Sequence, residues 1–257
     1  MCELLGVSSS EKIEMNDLLS EFFSHGVRHP NGWGMAFFDG NSVSAEKQPE
    51  PSFKSKYLRQ RLRARIITDC MFAHIRLATK GTTIYENTHP FTEQDNSGRN
   101  WTLQHNGTVF DCGPLNRFVH VQKGQTDSER ILLYIVSQIN DAQDRLRRTL
   151  TPAERFRLID SIILEIAPGN KVILMIYDGE YMYIHTNSKD KLFMCRKGGA
   201  LLFATVPLDG GRWDPVPLMK LLVFKDGKCV FTGTQHNNLF NYTEEQKRLL
   251  FLDYANL

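Results

Sequence analysis

Met1-Cys2-Glu3-Leu4-Leu5-Gly6 opens the chain and places a cysteine at the second position. Removal of the initiator methionine, which is usual before a small residue, would leave Cys2 with a thiol and a free α-amine. Unperturbed, these groups titrate near ~8.5 and ~7.8, so one residue would carry a nucleophile and a base matched to neutral pH. Because a free cysteine is usually a small buried hydrophobe, this interpretation depends on residues further along the chain.

Short apolar runs separated by Asp-Gly pairs predict antiparallel hairpins. Asp-Gly favours the turn of a tight hairpin, and it occurs at Asp39-Gly40, Asp178-Gly179 and Asp226-Gly227. The predicted strands are residues 35–38, 43–46, 70–77, 100–105, 171–177, 181–185, 200–206, 221–225 and 228–232.

Two amphipathic helices are predicted between these groups of strands. The first begins at Thr126-Asp127-Ser128-Glu129, which has the spacing of a capping box. The second begins at Thr151-Pro152 and ends before Pro168-Gly169. Strands, then helices, then strands again predict an α+β fold of two sheets with helices layered outside them. Because no repeat or linker-like segment interrupts the pattern, we expect one domain over residues 1–257.

The composition excludes several function classes. A net charge of +2 leaves no broad electrostatic footprint for nucleic acid or an anionic membrane, and the cluster Arg59, Arg61, Arg63 and Arg65 is interpreted as a solvated helix. Five cysteines without a CxxC pair fit neither a disulfide scaffold nor a zinc module. Eight histidines show no metal-binding spacing. With no visible signal peptide or long apolar run, we expect a cytoplasmic protein without metal, nucleic acid or membrane span.

An oxyanion hole for a Cys2 amidase could come from His105-Asn106-Gly107, at the end of a predicted strand. Attack on an amide carbonyl builds negative charge on oxygen, so two donors must be fixed where that charge appears. The Asn106 carboxamide and the Gly107 backbone N–H are candidates. The alternative is a plain hairpin turn, because Asn-Gly is a strong turn signal.

Two charged residues are candidates for substrate binding. Arg76 shares a strand face with Phe72 and His74, and a guanidinium grips a carboxylate with two parallel hydrogen bonds. Asp127 has the charge that suits an α-ammonium. The alternatives are an exposed arginine at a strand end and an acidic residue that complements a helix dipole.

The loop Glu86-Asn87-Thr88-His89-Pro90-Phe91 contains a further candidate. His89 could be a ligand, a proton carrier or a hydrogen-bonded loop histidine.

Taken in order, six segments resemble the class II glutamine amidotransferase domains of the N-terminal nucleophile hydrolases. They are Cys2, NGWGMAF (31–37), AHIRLATKG (73–81), ENTHPF (86–91), QHNG (104–107) and TDSE (126–129). Length, the MCELLG opening and Pro51-Ser52-Phe53 are similar to the YafJ-like standalone branch. The resemblance is dense over residues 1–130 and implies a four-layer αββα sandwich of two antiparallel sheets.

The resemblance also implies a catalytic set. Cys2 would be the nucleophile, with its α-amine acting as the base through a water molecule. Asn106 and Gly107 would form the oxyanion hole. The mechanism of the class needs neither a metal nor an organic cofactor.

For substrate binding, the resemblance implies that Arg76 holds an α-carboxylate and Asp127 an α-ammonium. Thr79 matches a threonine near the substrate pocket, and His89 matches a histidine that supports the site. Leu77 and Lys80 depart from the tryptophan and histidine found in many relatives with fused synthase domains, which affects the expected pocket wall.

The implied reaction is release of ammonia from the side chain of glutamine through a γ-glutamyl thioester, with the ammonia passed to an enzyme on another chain. One alternative is hydrolysis of another γ-glutamyl compound, either glutathione-related or a γ-glutamyl amine. A second alternative is a non-catalytic binding module with the same fold, although a fold-only role would not require the intact residue set.

Overall fold

Two antiparallel β-sheets form the centre of the molecule in the computed structural model, which describes residues 2–255. The strands within that range are β1 (Glu3–Glu14), β2 (Trp33–Asp39), β3 (Ser42–Gln48), β4 (Ile67–Ile75), β5 (Phe91–Gln94), β6 (Asn100–His105), β7 (Ile173–Tyr177), β8 (Met182–Thr186), β9 (Phe193–Lys197), β10 (Ala200–Ala204), β11 (Asp214–Pro215), β12 (Leu222–Lys225) and β13 (Lys228–Thr232). The first sheet has the order β11-β9-β10-β1-β4-β2-β3, and the second has the order β13-β12-β8-β7-β6-β5.

Helices cover the outer face of each sheet: α1 (Asn16–Ser24) and α2 (Lys56–Arg61) pack against the first, and α3 (Gly113–Asn116), α4 (Asp127–Leu146) and α5 (Pro152–Ile166) pack against the second. Helix α6 (Glu244–Ala255) follows β13 in the chain. Within residues 2–255, none of these helices has the length and apolar composition needed to cross a bilayer.

Three apolar clusters define the layers. Between the sheets, Leu4 and Phe72 of the first sheet pack with Met175 and Ile184 of the second. Outside the first sheet the cluster includes residues of β1, β4, α1 and α2, among them Val7, Ala73, Leu19 and Leu58. Outside the second sheet it includes residues of β6, β7, α4 and α5, among them Leu103, Leu174, Ile135 and Ile163. The predicted four-layer αββα sandwich is therefore confirmed.

Strand β4 illustrates why the pattern produces these layers. Successive side chains of a strand point to opposite faces. Phe72 accordingly packs between the sheets, whereas Met71 and Ala73 pack under the helices. Because both faces are covered by protein, β4 is apolar on both sides.

The helix starts follow their predicted caps. The Thr126 hydroxyl accepts a hydrogen bond from the Glu129 backbone N–H at the start of α4, and Thr151 and Glu154 form a complete capping box at α5. The Glu129 carboxylate accepts hydrogen bonds from the backbone N–H groups of Lys123 and Gly124, so it orders the preceding loop instead of completing a capping box.

Several strand and helix boundaries differ from the predictions, and two of these differences move arginines out of their predicted elements. Strand β4 ends at Ile75, so Arg76 and Leu77 lie beyond it, because the chain turns there into the loop that follows. A helix was predicted over all four clustered arginines, but helix α2 ends at Arg61, so Arg63 and Arg65 lie beyond it.

Several elements were not predicted, including the central strand β1. It runs for 12 residues, and only its first half is continuously buried. Its second half is serine-rich and charged, and the pairing with β4 shifts register between Ser8 and Ile13. The alternation that identifies a strand is therefore lost halfway along it.

Candidate active site

Cys2 immediately precedes β1, the strand that lies between β10 and β4. Its thiol donates a hydrogen bond to the Leu77 carbonyl oxygen, with Sγ and O 3.4 Å apart. Since the β1–β4 register pairs Glu3 with Ile75, Cys2 lies beside the segment that leaves β4. The nucleophile candidate is thus held at the edge of the space between the two sheets.

The electrostatic surroundings of Cys2 have opposing effects. Burial raises the pKa of the thiol, while the nearby cations Arg76 and Lys171 act to lower it. Burial is the largest of these influences, so the pKa of the Cys2 thiol lies above its ordinary value. A base is therefore needed to generate the thiolate.

Asn106 and Gly107 follow β6 in the second sheet. The Asn106 backbone N–H donates a hydrogen bond to the Ile173 carbonyl oxygen. Within residues 2–255, the Asn106 carboxamide has no hydrogen-bond partner. Asn106 and Cys2 line one cavity of about 300 Å³. An unengaged carboxamide beside the thiol is suited to receive an oxyanion.

Gly107 is at a position where backbone approaches backbone. A Cβ there would lie 2.0 Å from the Lys171 carbonyl oxygen and 2.2 Å from His105 Nε2. Glycine is therefore required by space, and the turn is held against the start of the neighbouring strand by paired backbone hydrogen bonds between Thr108 and Lys171.

The Arg76 guanidinium is engaged by the loop that follows it. It donates to the carbonyl oxygens of Lys80 (2.8 Å), Gly81 (2.9 Å) and Thr82 (3.0 Å). A guanidinium has five N–H donors, so these bonds leave two for a ligand. Cys2 and Asp127 both act to raise the pKa of Arg76, which burial lowers.

Asp127 is the first residue of α4 and is buried. One carboxylate oxygen accepts from the Val109 backbone N–H at 2.7 Å, and the other accepts from Ser128 at 3.0 Å. This carboxylate therefore also anchors the chain that follows the Asn106-Gly107 turn.

The two remaining predicted site residues, Thr79 and His89, lie in different surroundings. Thr79 is two residues beyond Leu77, and its hydroxyl makes no hydrogen bond within residues 2–255. His89 is buried, with its ring stacked on His74 at 4.1 Å between centroids and against the edge of Phe91. His89 is absent from the lining of the Cys2 cavity, as are Arg76, Thr79, Gly107 and Asp127.

Sequence analysis did not identify Lys171, which is 0% exposed. Burial lowers its pKa to about 7, and the nearby Cys2 acts in the opposite direction. It also supplies the carbonyl oxygen that faces Gly107 and accepts from His105 Nε2 at 3.2 Å. A lysine at a strand start resembles an exposed residue, so no local signal marked it.

His105 orders the base of the turn. Its Nε2 donates to the Lys171 carbonyl oxygen, so Nδ1 is the acceptor and receives the Ser128 hydroxyl at 3.0 Å. Burial lowers the pKa of His105, which favours this neutral form. No group of three or more histidine, cysteine or acidic side chains within residues 2–255 is arranged to hold a metal ion.

Comparisons with known proteins assign the chain to a family. The family described as "Glutamine amidotransferases class-II" matches residues 1–199. YafJ of Escherichia coli (strain K12), a candidate glutamine amidotransferase, is 31% identical over 192 residues, covering 73% of this chain and 74% of YafJ. The gamma-glutamyl-hercynylcysteine sulfoxide hydrolase of Mycobacterium tuberculosis (strain H37Rv) is 34% identical over 201 residues, covering 75% of this chain and 74% of the hydrolase.

Solved structures share the fold. A predicted glutamine amidotransferase of Pseudomonas aeruginosa PA01 superposes with a TM-score of 0.62 at 20% identity, covering 90% of this chain and all of that one. The glutamine phosphoribosylpyrophosphate amidotransferase of Bacillus subtilis gives 0.68 at 17% identity, with 93% of this chain matched to 50% of the larger enzyme.

Proposed function

Because this chain belongs to the class II glutamine amidotransferase family, we propose that it is an amidohydrolase that cleaves γ-glutamyl amides with Cys2 as its nucleophile. The observation that carries the proposal is the cavity shared by the Cys2 thiol and the unengaged Asn106 carboxamide. Arg76, whose pKa is lowered by burial while the charges of Cys2 and Asp127 act to raise it, and Asp127 itself would supply a cation and an anion for the two α-groups of a glutamyl substrate.

In the first step, Cys2 Sγ attacks the side-chain carbonyl carbon of the substrate. The α-amine freed by removal of Met1 accepts the thiol proton through a water molecule, since both groups share one Cα. The Asn106 carboxamide and the Gly107 N–H donate hydrogen bonds to the developing oxyanion. Stabilisation of that negative charge is usually the largest single contribution to this type of catalysis. The C–N bond then breaks, and the proton passes to the leaving nitrogen.

In the second step, water attacks the γ-glutamyl thioester. Glutamate leaves and the Cys2 thiol is restored, so the cycle consumes one water and needs no external oxidant or reductant. Neither a metal nor an organic cofactor takes part in this proposed mechanism.

With glutamine as substrate, the leaving group is ammonia. In that case, we propose that an ammonia-accepting enzyme on a separate chain uses the product. The proposal also includes a cytoplasmic setting, which is supported by five unpaired cysteines. It includes no nucleic-acid partner, which is supported by a net charge of only +2.

The second candidate is hydrolysis of a substituted γ-glutamyl amide. It is favoured by the open space beside Cys2, and the M. tuberculosis relative is named as such a hydrolase. A non-catalytic binding module is the remaining alternative, and it predicts no turnover.

Glutamate release from glutamine and from substituted γ-glutamyl amides tests the proposal. Wild-type protein lacking Met1 should release glutamate, Cys2→Ala should not, and Cys229→Ala should match the wild type because Cys229 is exposed and remote from the site. Equal turnover by the wild type and Cys2→Ala would refute the assignment of the nucleophile. Saturable binding of a γ-glutamyl amide without turnover would favour the binding module.

A further inference from the structure

The cavity beside Cys2 is much larger than the ammonia that glutamine would release there. It measures about 300 Å³ and is lined by Cys2, Glu3, Asn106, Asp190, Lys191, Phe193, Thr205, Val206 and Pro207. The leaving group of glutamine is ammonia, which is about the size of a water molecule, and water occupies about 30 Å³ in the liquid. The space next to the reacting sulfur could therefore hold a leaving group of several non-hydrogen atoms.

The first sheet places this cavity and the glutamyl-binding residues on opposite sides of β1. Strand β1 lies between β4, which leads to Arg76, and β10, which leads to Thr205. Thr205 is fixed there by two hydrogen bonds: its backbone N–H donates to the Leu4 carbonyl oxygen, and its hydroxyl accepts from the Leu4 N–H. Phe193 of β9 lies one strand further from β4.

The second sheet shows the same division. Asn106 follows β6, and the Val109 backbone beyond it is bonded to Asp127. Asp190 and Lys191 follow β8, which is separated from β6 by β7. A substrate whose α-groups lie at Arg76 and Asp127 and whose carbonyl lies at Cys2 would therefore extend its amide nitrogen toward the cavity.

The lining suggests which leaving groups fit. Phe193, Val206 and Pro207 give an apolar wall, and Lys191 is an exposed cation at the rim. The Lys191 charge is close enough to lower the pKa of Lys171. Of the two acidic lining residues, Glu3 is hydrogen-bonded to His25 at 2.7 Å. Asp190 adds an acceptor for N–H groups.

We propose that this cavity is a leaving-group subsite for an amino-acid-like amine, and that the preferred substrate is a γ-glutamyl amide whose nitrogen carries a substituent with a carboxylate. This inference rests on the proposed function. Lys191 binds the carboxylate, and the Phe193–Val206–Pro207 wall contacts the carbon skeleton. The reaction keeps the two-step balance: the thioester forms as the C–N bond breaks, the amine leaves with the thiol proton, and water hydrolyses the thioester.

Three substrates separate the possible preferences: glutamine, γ-glutamyl-isopropylamide and γ-glutamyl-alanine. The last two differ only by a methyl group in place of a carboxylate. For wild-type protein lacking Met1, we expect kcat/KM to be lowest for glutamine and highest for γ-glutamyl-alanine. Fold is checked by thermal unfolding of every variant.

Val206→Trp fills the cavity from a position that is 40% exposed, so the fold should tolerate it. It should lower the ratio of kcat/KM for γ-glutamyl-alanine over glutamine by about tenfold or more, since filling a pocket rejects the larger substrate selectively. The matched control is Val230→Trp, at a remote edge-strand position that is 43% exposed, and it should leave all three kcat/KM values unchanged.

Lys191→Gln tests the charge separately. It should lower the ratio of kcat/KM for γ-glutamyl-alanine to kcat/KM for γ-glutamyl-isopropylamide by about tenfold, since a charge-assisted contact is lost. The control is Lys189→Gln, an exposed neighbour that is absent from the cavity lining.

Two outcomes would overturn the inference in different ways. A wild type that prefers glutamine by orders of magnitude, with ratios unchanged in Val206→Trp and Lys191→Gln, would remove the subsite and leave the proposed function intact. No cleavage of any of the three substrates by protein lacking Met1 would refute the proposed function, and the subsite with it.

Discussion

Replacing Gly107 by alanine should damage both stability and turnover, because the added methyl group has no space. Its Cβ would lie 2.0 Å from the Lys171 carbonyl oxygen and 2.2 Å from His105 Nε2, whereas ordinary contacts begin near 3.4 Å. The backbone must therefore move by more than an ångström at the point where Thr108 and Lys171 exchange two hydrogen bonds of 3.0 and 3.1 Å.

The expected cost follows from those contacts. Losing two backbone hydrogen bonds costs about 1 kcal/mol each, and overpacking adds about 1–3 kcal/mol. We therefore expect the free energy of unfolding to fall by about 3–5 kcal/mol, measured by urea denaturation. Gly210→Ala is the control, since a Cβ there meets nothing within 4 Å. A Gly107→Ala protein within about 0.5 kcal/mol of the wild type would refute the steric argument, since surface substitutions alone stay within that range.

Asn106→Ala separates catalysis from stability at the neighbouring residue. Its carboxamide has no hydrogen-bond partner within residues 2–255, so truncation should cost less than about 1 kcal/mol of stability. Turnover should nevertheless fall by roughly 10²–10³, the usual effect of removing one oxyanion donor. A stable variant with normal kcat would remove Asn106 from the oxyanion hole.

Other predictions concern substrate binding and pH. Arg76→Lys keeps the charge but loses the planar guanidinium, so kcat/KM should fall by roughly 10–100-fold, mainly through a higher KM. The control is Arg99→Lys, which loses a remote contact to a backbone carbonyl and should leave kcat/KM unchanged. An unaltered KM in Arg76→Lys would contradict the assignment of Arg76 to substrate binding. Activity of protein lacking Met1 should rise with pH through an apparent pKa near ~8, since the α-amine must be neutral to accept the Cys2 proton, and a flat profile from pH 6 to 9 would exclude that base. Burial and the adjacent His236 lower the pKa of His185 to about 3. Between this pKa and about 6.5, the unfolded chain binds more protons than the folded protein. Lowering the pH through that window should therefore reduce the free energy of unfolding by up to ~1.4 kcal/mol per pH unit. His185→Asn should make this pH dependence less steep in urea titrations at pH 7, 6 and 5. An identical slope in the variant would contradict the linkage.

Local signals predicted those parts of the fold whose cause lies in neighbouring residues. Helix α5 begins at Thr151-Pro152, as predicted, because its cap is built from residues three positions apart. Strand β6 has the predicted bounds, Asn100–His105, because a turn signal follows it. Strand β1 was not predicted, because its exposed half carries no alternation and its pairing partners are distant in sequence.

Long-range contacts explain what the sequence could not indicate about the site. Lys171 is buried, and its backbone carbonyl faces the Gly107 turn, which lies 64 positions earlier in the chain. The carbonyl groups that engage Arg76 belong to a loop whose conformation no motif describes. The cavity beside Cys2 is assembled from residues after β8 and β10, so neither its size nor its charge appears in any contiguous segment.

A processed Cys2 is proposed as the nucleophile of a glutamyl-binding site. Intact mass with peptide mapping after incubation with an electrophilic glutamine analogue tests this assignment directly. We expect one adduct per chain lacking Met1, located on Cys2, with the buried Cys195 unmodified. Processed chains that remain unmodified, or that carry the adduct only on the exposed Cys229, would contradict it.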